Sequence, residues 1–324
     1  MTVDAGLGNQ PAPVAAPPVA APLARPGRRR SRFDWLEGYL FISPWLIGFT
    51  LFVLGPMLFS LYLAFCRYDP RSAAGPAWIG LENFRYAFDN IDEKFYRSLL
   101  TTGLYAAISI PLGLAGSLAV ALLLTQEVRG LGLFRTIFYL PAVLPTVAVG
   151  TVFVWLFNTD LGLINYFLGS AGLPPVDWLG NPRLVLPSYI LVSLWGVGGN
   201  MMVLIAALKG IPRSYYEAAT IDGANWWWKF RAVTLPQLSF VLFFNLVMGI
   251  IGAFQVFDLA YVMGGAADEN LFFVLYLYQA AWARHKLGYA SALAWILFCI
   301  ILAISALVMK SSPLWVYYEG ERKS

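Results

Sequence analysis

The residues best placed to do chemistry lie in one short polar island. Glu217-Ala218-Ala219-Thr220-Ile221-Asp222-Gly223-Ala224 sits between two long apolar runs and reads as a short helix, a turn and a second short helix. Pro212 is placed to start the first piece, where its missing N–H costs nothing. Gly223, after Asp222, supplies a sharp turn that a residue with a Cβ resists. Pro236 closes the island as the next apolar run begins. Two adjacent alanines leave a flat strip where another protein's backbone can come close. Glu217 beside them offers a carboxylate to a cationic partner. An ordinary amphipathic loop between membrane helices would have the same composition, so the island is by itself a candidate docking site and no more.

Elsewhere the inventory excludes more than it suggests. There is no Gly-x-x-x-x-Gly-Lys-Ser/Thr loop and no Gly-Lys dipeptide, so any ATP and its Mg²⁺ must be bound by another chain. The single His285 builds neither a histidine metal cluster nor a Ser/His/Asp arrangement, and Cys66 and Cys299 have no redox or metal spacing. An enzyme, a resident cofactor and a metal site are therefore not expected. What remains is polar groups inside apolar runs, which are costly there and tend to line pathways. One run carries Gly196, Gly198, Gly199 and Asn200; the glycines loosen a helix and let carbonyls face a cavity. The next carries Asn245, Gln255 and Asp258. Gln255 and Asp258 are three apart and share a face of a continuous helix, and Asn245 falls off it. Asn200, Gln255 and Asp258 are the candidates for a substrate path. The competing reading is that each bonds a neighbouring helix.

These residues must be positioned by a membrane scaffold. Of 324 residues, 59% are hydrophobic, 16% aromatic and only 12% charged, about half the charge of a soluble domain. Residues 1–34 are Ala/Pro-rich, end in an arginine cluster, and read as a disordered cytoplasmic tail that fixes orientation. Residues 35–324 read as one all-α domain of six spanning helices with the docking loop at 209–236. The expected spans run from about Tyr39 to Phe65, Leu99 to Leu124, Phe134 to Phe157, Leu184 to Leu208, Leu238 to Val262 and Leu287 to Met309. Gly113, Ser117 and Ala121 recur every four positions in the second, a stripe suited to close helix packing. Lys and Arg are in excess on the side of the N-terminal tail and the Glu217 loop, which predicts both termini and that loop in the cytoplasm. The net charge of +4 is thus read as membrane orientation and not nucleic-acid binding. On the outer side, Asp89, Asp92 and Glu93 are expected to be a solvated face.

Ile211-Pro212, Tyr216-Glu217-Ala218-Ala219, Ile221-Asp222-Gly223-Ala224 and Thr234-Leu235-Pro236 together resemble the "EAA" loop of the membrane subunits of binding-protein-dependent ABC importers. Trp78-Ile79-Gly80-Leu81-Glu82-Asn83-Phe84, and Phe254-Gln255-Val256-Phe257-Asp258 followed by Gly264-Gly265, resemble stretches of maltose-type sugar permeases; Ala266 stands where that pattern has a proline. The resemblance implies the type I importer permease fold in a bacterial inner membrane and alternating access driven by a separate ATPase. It implies that Tyr216, Glu217, Ala218, Ala219, Asp222, Gly223, Ala224 and Pro236 couple to that ATPase. The implied partners are a second permease, two ATP-binding subunits, an extracytoplasmic solute-binding protein, lipid and a carbohydrate. A permease for glycerol-3-phosphate or another small polar solute is the rival within the class, disfavoured because no helix core holds a basic residue. An ion-coupled secondary transporter would need mid-membrane ionisable groups, and only Asp258 comes near. A non-transporting scaffold is compatible with the composition.

Overall fold

The computed structural model describes residues 34–89, 93–126, 129–265 and 271–317, and the chain divides into two units between Gly55 and Pro56. The expected tail, Asp92 and Ala266 lie outside the described residues, apart from Asp34, where the first helix begins.

The first unit holds α1 (Asp34–Phe49) and a π-helical turn, Thr50–Leu54. Its side chains from Tyr39 onward are almost all exposed apolar groups, with Trp45 and Phe49 stacked at 5.3 Å. Such a surface suits hydrocarbon and not water.

In chain order the helices that follow are α2 (Gly55–Ala64), α3 (Glu82–Phe88), α4 (Glu93–Leu124), α5 (Leu131–Val143) and α6 (Thr146–Leu156). Then come α7 (Leu163–Ser170), α8 (Pro182–Trp195), α9 (Gly198–Gly210), α10 (Arg213–Ile221) and α11 (Trp226–Lys229). The chain closes with α12 (Leu235–Phe254), α13 (Asp258–Met263), α14 (Phe273–Tyr278) and α15 (Leu287–Trp315). A two-residue hairpin, Cys66–Arg67 against Ala77–Trp78, is the sheet among the described residues.

Among the described residues, four helical runs are long and apolar enough to cross a membrane: Tyr39–Ala64, Glu93–Leu124, Trp226–Met263 and Leu287–Trp315. The other two expected spans are bent pairs. The third, expected as one helix over Phe134–Phe157, folds by 98° between α5 and α6. Its cause is Pro145, which forces Leu144 into an extended conformation, ψ 139°. The fourth bends by 44° between α8 and α9 at the expected glycine cluster. Counting each pair once gives six spans.

The core of the second unit is centred on Phe95, Phe272, Phe273 and Tyr276, all buried. Thr102 Oγ1 accepts the Phe273 N–H at 2.9 Å, so the otherwise orphaned first donor of α14 is satisfied by α4. A second cluster joins Ala121 and Leu124 of α4 to Met201, Leu204 and Ile205 of α9. Ser117, fully buried, places its hydroxyl 2.7 Å from the Gly113 carbonyl and 3.1 Å from the Val197 carbonyl at the α8–α9 break. The small-residue stripe therefore seats α9 and holds its bend. At Gly198 a Cβ would run into the Phe138 carbonyl, so only glycine lets α9 approach α5 here. Toward the outer side, Asn83 donates to the Ala64 and Cys66 carbonyls at 2.9 Å each and pins α3 to the end of α2. Asp89 and Glu93 are exposed, as the solvated-face reading has it.

Candidate functional site

The island around Glu217 forms a helix–turn–helix element. Pro212 caps α10 from just outside it, at φ −59° and ψ 134°. The far end closes as a Schellman motif: Ala224 N–H donates to the Ala219 carbonyl at 2.9 Å and Gly223 N–H to the Thr220 carbonyl at 3.0 Å. Gly223 sits at φ 76°, the left-handed region that the motif needs and that glycine enters at no steric cost. Asn225 then caps α11, its side chain accepting the Trp228 N–H at 3.0 Å. Tyr216 and Thr234 hydroxyls, 3.0 Å apart, tie α10 back to the π-helical turn Phe230–Thr234.

Glu217, Ala218 and Asp222 are exposed, and Ala219 and Ala224 are half-buried. Among the described residues the ion pair is Arg67 with Glu82, so Glu217 is left available. Ile221 is 88% exposed and Trp226 71%, with Trp226 stacked on Phe230 at 5.9 Å. A carboxylate, small residues and bare apolar side chains on two short helices joined by a tight turn are what a docking element presents. Pro236 departs from its expected role. It does not close the island, because α11, the π-helical turn and α12 form one helical run from Trp226 to Phe254. The wide π turn directly before Pro236 is where the helix absorbs a residue without an N–H.

The substrate-path candidates lie in two adjoining cavities between α4, α8–α9 and α12–α13. One, of about 250 Å³, is lined by Asn200, Asn245 and Ser109 among others. Its neighbour, of about 370 Å³, is lined by Gln255 and Asp258. Tyr105, Ser193, Gly196 and Val256 line both. Asn200 is thus separate from Gln255 by a shared wall and not beside it. The shared-face argument for Gln255 and Asp258 is corrected: α12 ends at Phe254, Gln255 is its cap at φ −107°, and Asp258 opens α13. They meet at one cavity through a break in the helix, not through helical spacing. Gly249 and Gly252 of α12 line the smaller cavity; a Cβ at Gly252 would meet open space and one at Gly249 would touch Ile110.

Asn245 is the residue that spacing arguments discounted. It is 95% buried by its 5% exposure, lines the smaller cavity, and its Nδ2 has no hydrogen-bond partner. Its signal is the pattern Asn245, Gly249, Gly252, at i, i+4 and i+7, which marks one face of α12. Tyr105 and Ser109, four apart on α4, extend the Gly113–Ser117 stripe in the same way. Among the described residues no group of three or more His, Cys, Asp or Glu is placed to hold a metal.

Comparison with known proteins follows this geometry. A family model described as binding-protein-dependent transport system inner membrane component matches residues 113–311, taking in the docking loop and most of the cavity walls. The chain is 42% identical to Probable ABC transporter permease protein YesP of Bacillus subtilis (strain 168), over 91% of this chain and 96% of that one. It is 31% identical to the arabinooligosaccharides transport system permease protein AraP of the same organism, over 85% and 88%. It is 29% identical to the trehalose/maltose transport system permease protein MalF of Thermococcus litoralis, over 84% and 92%. A chain of a solved bacterial ABC transporter involved in import of the acidic polysaccharide alginate superposes with a TM-score of 0.77 at 25% identity, covering 86% of this chain and 96% of its own.

Proposed function

The chain belongs to the binding-protein-dependent transport system inner membrane component family, and from that premise we propose that it is the membrane-spanning subunit of an ATP-driven importer of neutral carbohydrates. Members of this family are transport components and not enzymes, and the ATP is hydrolysed by a separate subunit.

The observation that carries the cargo assignment is the lining of the two cavities. Their polar groups are amides and hydroxyls, set among aliphatic side chains and the rings of Tyr105, Trp195 and Phe257, and Asp258 is the one charged residue among them. Sugar hydroxyls need paired donors and acceptors, which Asn200, Asn245, Gln255, Ser109 and Ser193 supply. A phosphorylated cargo such as glycerol-3-phosphate calls for Arg or Lys, and neither cavity offers one. The relatives named for arabinooligosaccharide and trehalose/maltose transport support the same class. The solved relative imports an acidic polysaccharide; a lining whose only charge is a carboxylate fits a neutral one better.

The mechanism on this reading is alternating access. Two ATP-binding subunits close on the cytoplasmic side and move α10 as a lever through Glu217 and its alanines. The continuous helical run from Trp226 to Phe254 carries that motion from the docking element to Gln255 at its end. The flexible points are the α8–α9 bend and the α12–α13 break, where cavity residues sit. A second permease of the same family completes the path, and a solute-binding protein delivers cargo from outside, as in the alginate transporter solved with its pentasaccharide-bound periplasmic protein. The chain then lies in a bacterial inner membrane with both termini and α10 in the cytoplasm. Uptake of labelled oligosaccharide by proteoliposomes holding the full complex tests the reading. It should require ATP on the α10 side and the binding protein on the other; uptake driven by an ion gradient without ATP would overturn it.

A further inference from the structure

A groove separate from the two cavities adjoins the docking element and shares Tyr216 and Trp226 with it. Its volume is about 730 Å³, and it lies between the ends of α4 and α9 and the starts of α10 and α11. Leu122, Leu123 and Leu208, from the last turns of two spanning helices, form its apolar side. Lys209 and Arg213 are the charged residues that line it; both are exposed, and neither is in an ion pair among the described residues. No carboxylate lines it. Trp226 and Tyr216 stand at its rim.

We propose that this groove binds an anionic phospholipid of the leaflet on the docking-loop side. The headgroup phosphate sits between Lys209 and Arg213, and one acyl chain runs along the leucines. Three features favour a lipid over an acidic segment of a soluble partner. The groove spans the boundary between polar loop and apolar helix, and its apolar side belongs to the last turns of membrane-spanning helices, where lipid and not a soluble chain is the expected neighbour. Leu123, 62% exposed, presents bare aliphatic surface there. Trp226, with an apolar ring body and one N–H, is the side-chain type that settles at headgroup level. Two unopposed cations at that level attract anionic headgroups. The Tyr216–Thr234 hydrogen bond is part of the same wall, so a bound lipid touches the base of α10.

Native mass spectrometry of the full-length chain, titrated with phosphatidylglycerol and with phosphatidylcholine, reads this directly. Phosphatidylglycerol should be retained in preference. Lys209→Gln and Arg213→Gln should each weaken that retention roughly fivefold, the factor that about 1 kcal/mol per surface cation gives, and leave phosphatidylcholine unchanged. Arg129→Gln, outside the groove, should change neither. Leu123→Trp keeps both charges but fills the floor, and should also reduce retention, so the proposal does not rest on charge variants alone. Equal retention of the two lipids, or no effect of the groove variants, overturns it. So does full displacement of the lipid by inorganic phosphate, which would make this a site for free anions. Loss of a co-purified ATP-binding subunit from the charge variants with lipid retention intact would assign the cations to a protein contact instead.

Discussion

At the scale of single residues, Asn245 tests recognition of the cargo. A buried amide with no partner costs about 1–3 kcal/mol, and Asn245 Nδ2 is such a group. Asn245→Leu should therefore slow uptake, because Nδ2, which no protein group accepts from, is free to donate to a sugar hydroxyl in the cavity it lines. Asn200→Leu and Gln255→Met should slow uptake with little change in stability, since both residues are exposed and exchange water for cargo. Assembly and basal ATPase activity should persist in all three. Normal uptake by every variant would mean that the partner permease recognises the cargo. Asn200, Gln255 and Asp258 were legible in the sequence because a polar group inside an apolar run is expensive enough to need a reason. Asn245 carried the same cost. Its direction was not legible, because the face used to judge it ran through a helix that in fact ends at Phe254.

At the scale of elements, α10 and its turn were the most legible part of the chain, and the reason is local. Pro212 and Gly223 act through their own backbone and nearest neighbours, so type and spacing specify the helix start and the turn without knowledge of the fold; the Asn225 cap on α11 emerged only from the structure. The bend between α5 and α6 was less legible. Prolines are common in spanning helices and most are tolerated: Pro111 and Pro187 lie within continuous helices, while Pro145 ends one. Which outcome follows depends on whether neighbours re-satisfy the freed carbonyls, and that is tertiary information. The same local logic makes α10 testable. Gly223→Val forces a β-branched residue to φ 76°, which disfavours the Schellman turn by more than the roughly 1–2 kcal/mol of an ordinary left-handed residue. Glu217→Lys leaves the turn intact but reverses the exposed charge, a change on the order of 2–5 kcal/mol where the opposing pair is desolvated. Both variants should insert normally and lose either the ATP-binding subunit or its stimulation by cargo, measured by co-purification and ATPase assay. Wild-type stimulation in both would reduce the loop to a connector.

At the scale of the whole molecule, two independent readings of orientation meet at α10. The excess of Lys and Arg predicts the Glu217 loop in the cytoplasm, and the proposed docking of an ATP-hydrolysing subunit on α10 requires the same side. The segment between the first two spans, with its hairpin and α3, then faces outside. Impermeant thiol labelling of intact cells resolves the two sides. Cys66 is buried and Cys299 exposed, so both are replaced first. Ser72 and Ser214 are suitable reporters, as both are exposed. Ser214 is preferable to Asn225 within the loop, because the Asn225 side chain caps α11 and its loss would cost about 1 kcal/mol. Ser72→Cys should label from outside and Ser214→Cys only after the membrane is permeabilised. The two bent pairs sharpen the test: if either pair dips into the membrane and returns instead of crossing, every later segment changes sides. Ser72 lies before both pairs and Ser214 after both, so equal labelling from outside would show that one pair does not cross, and would place α10 where no ATP-binding subunit could reach it.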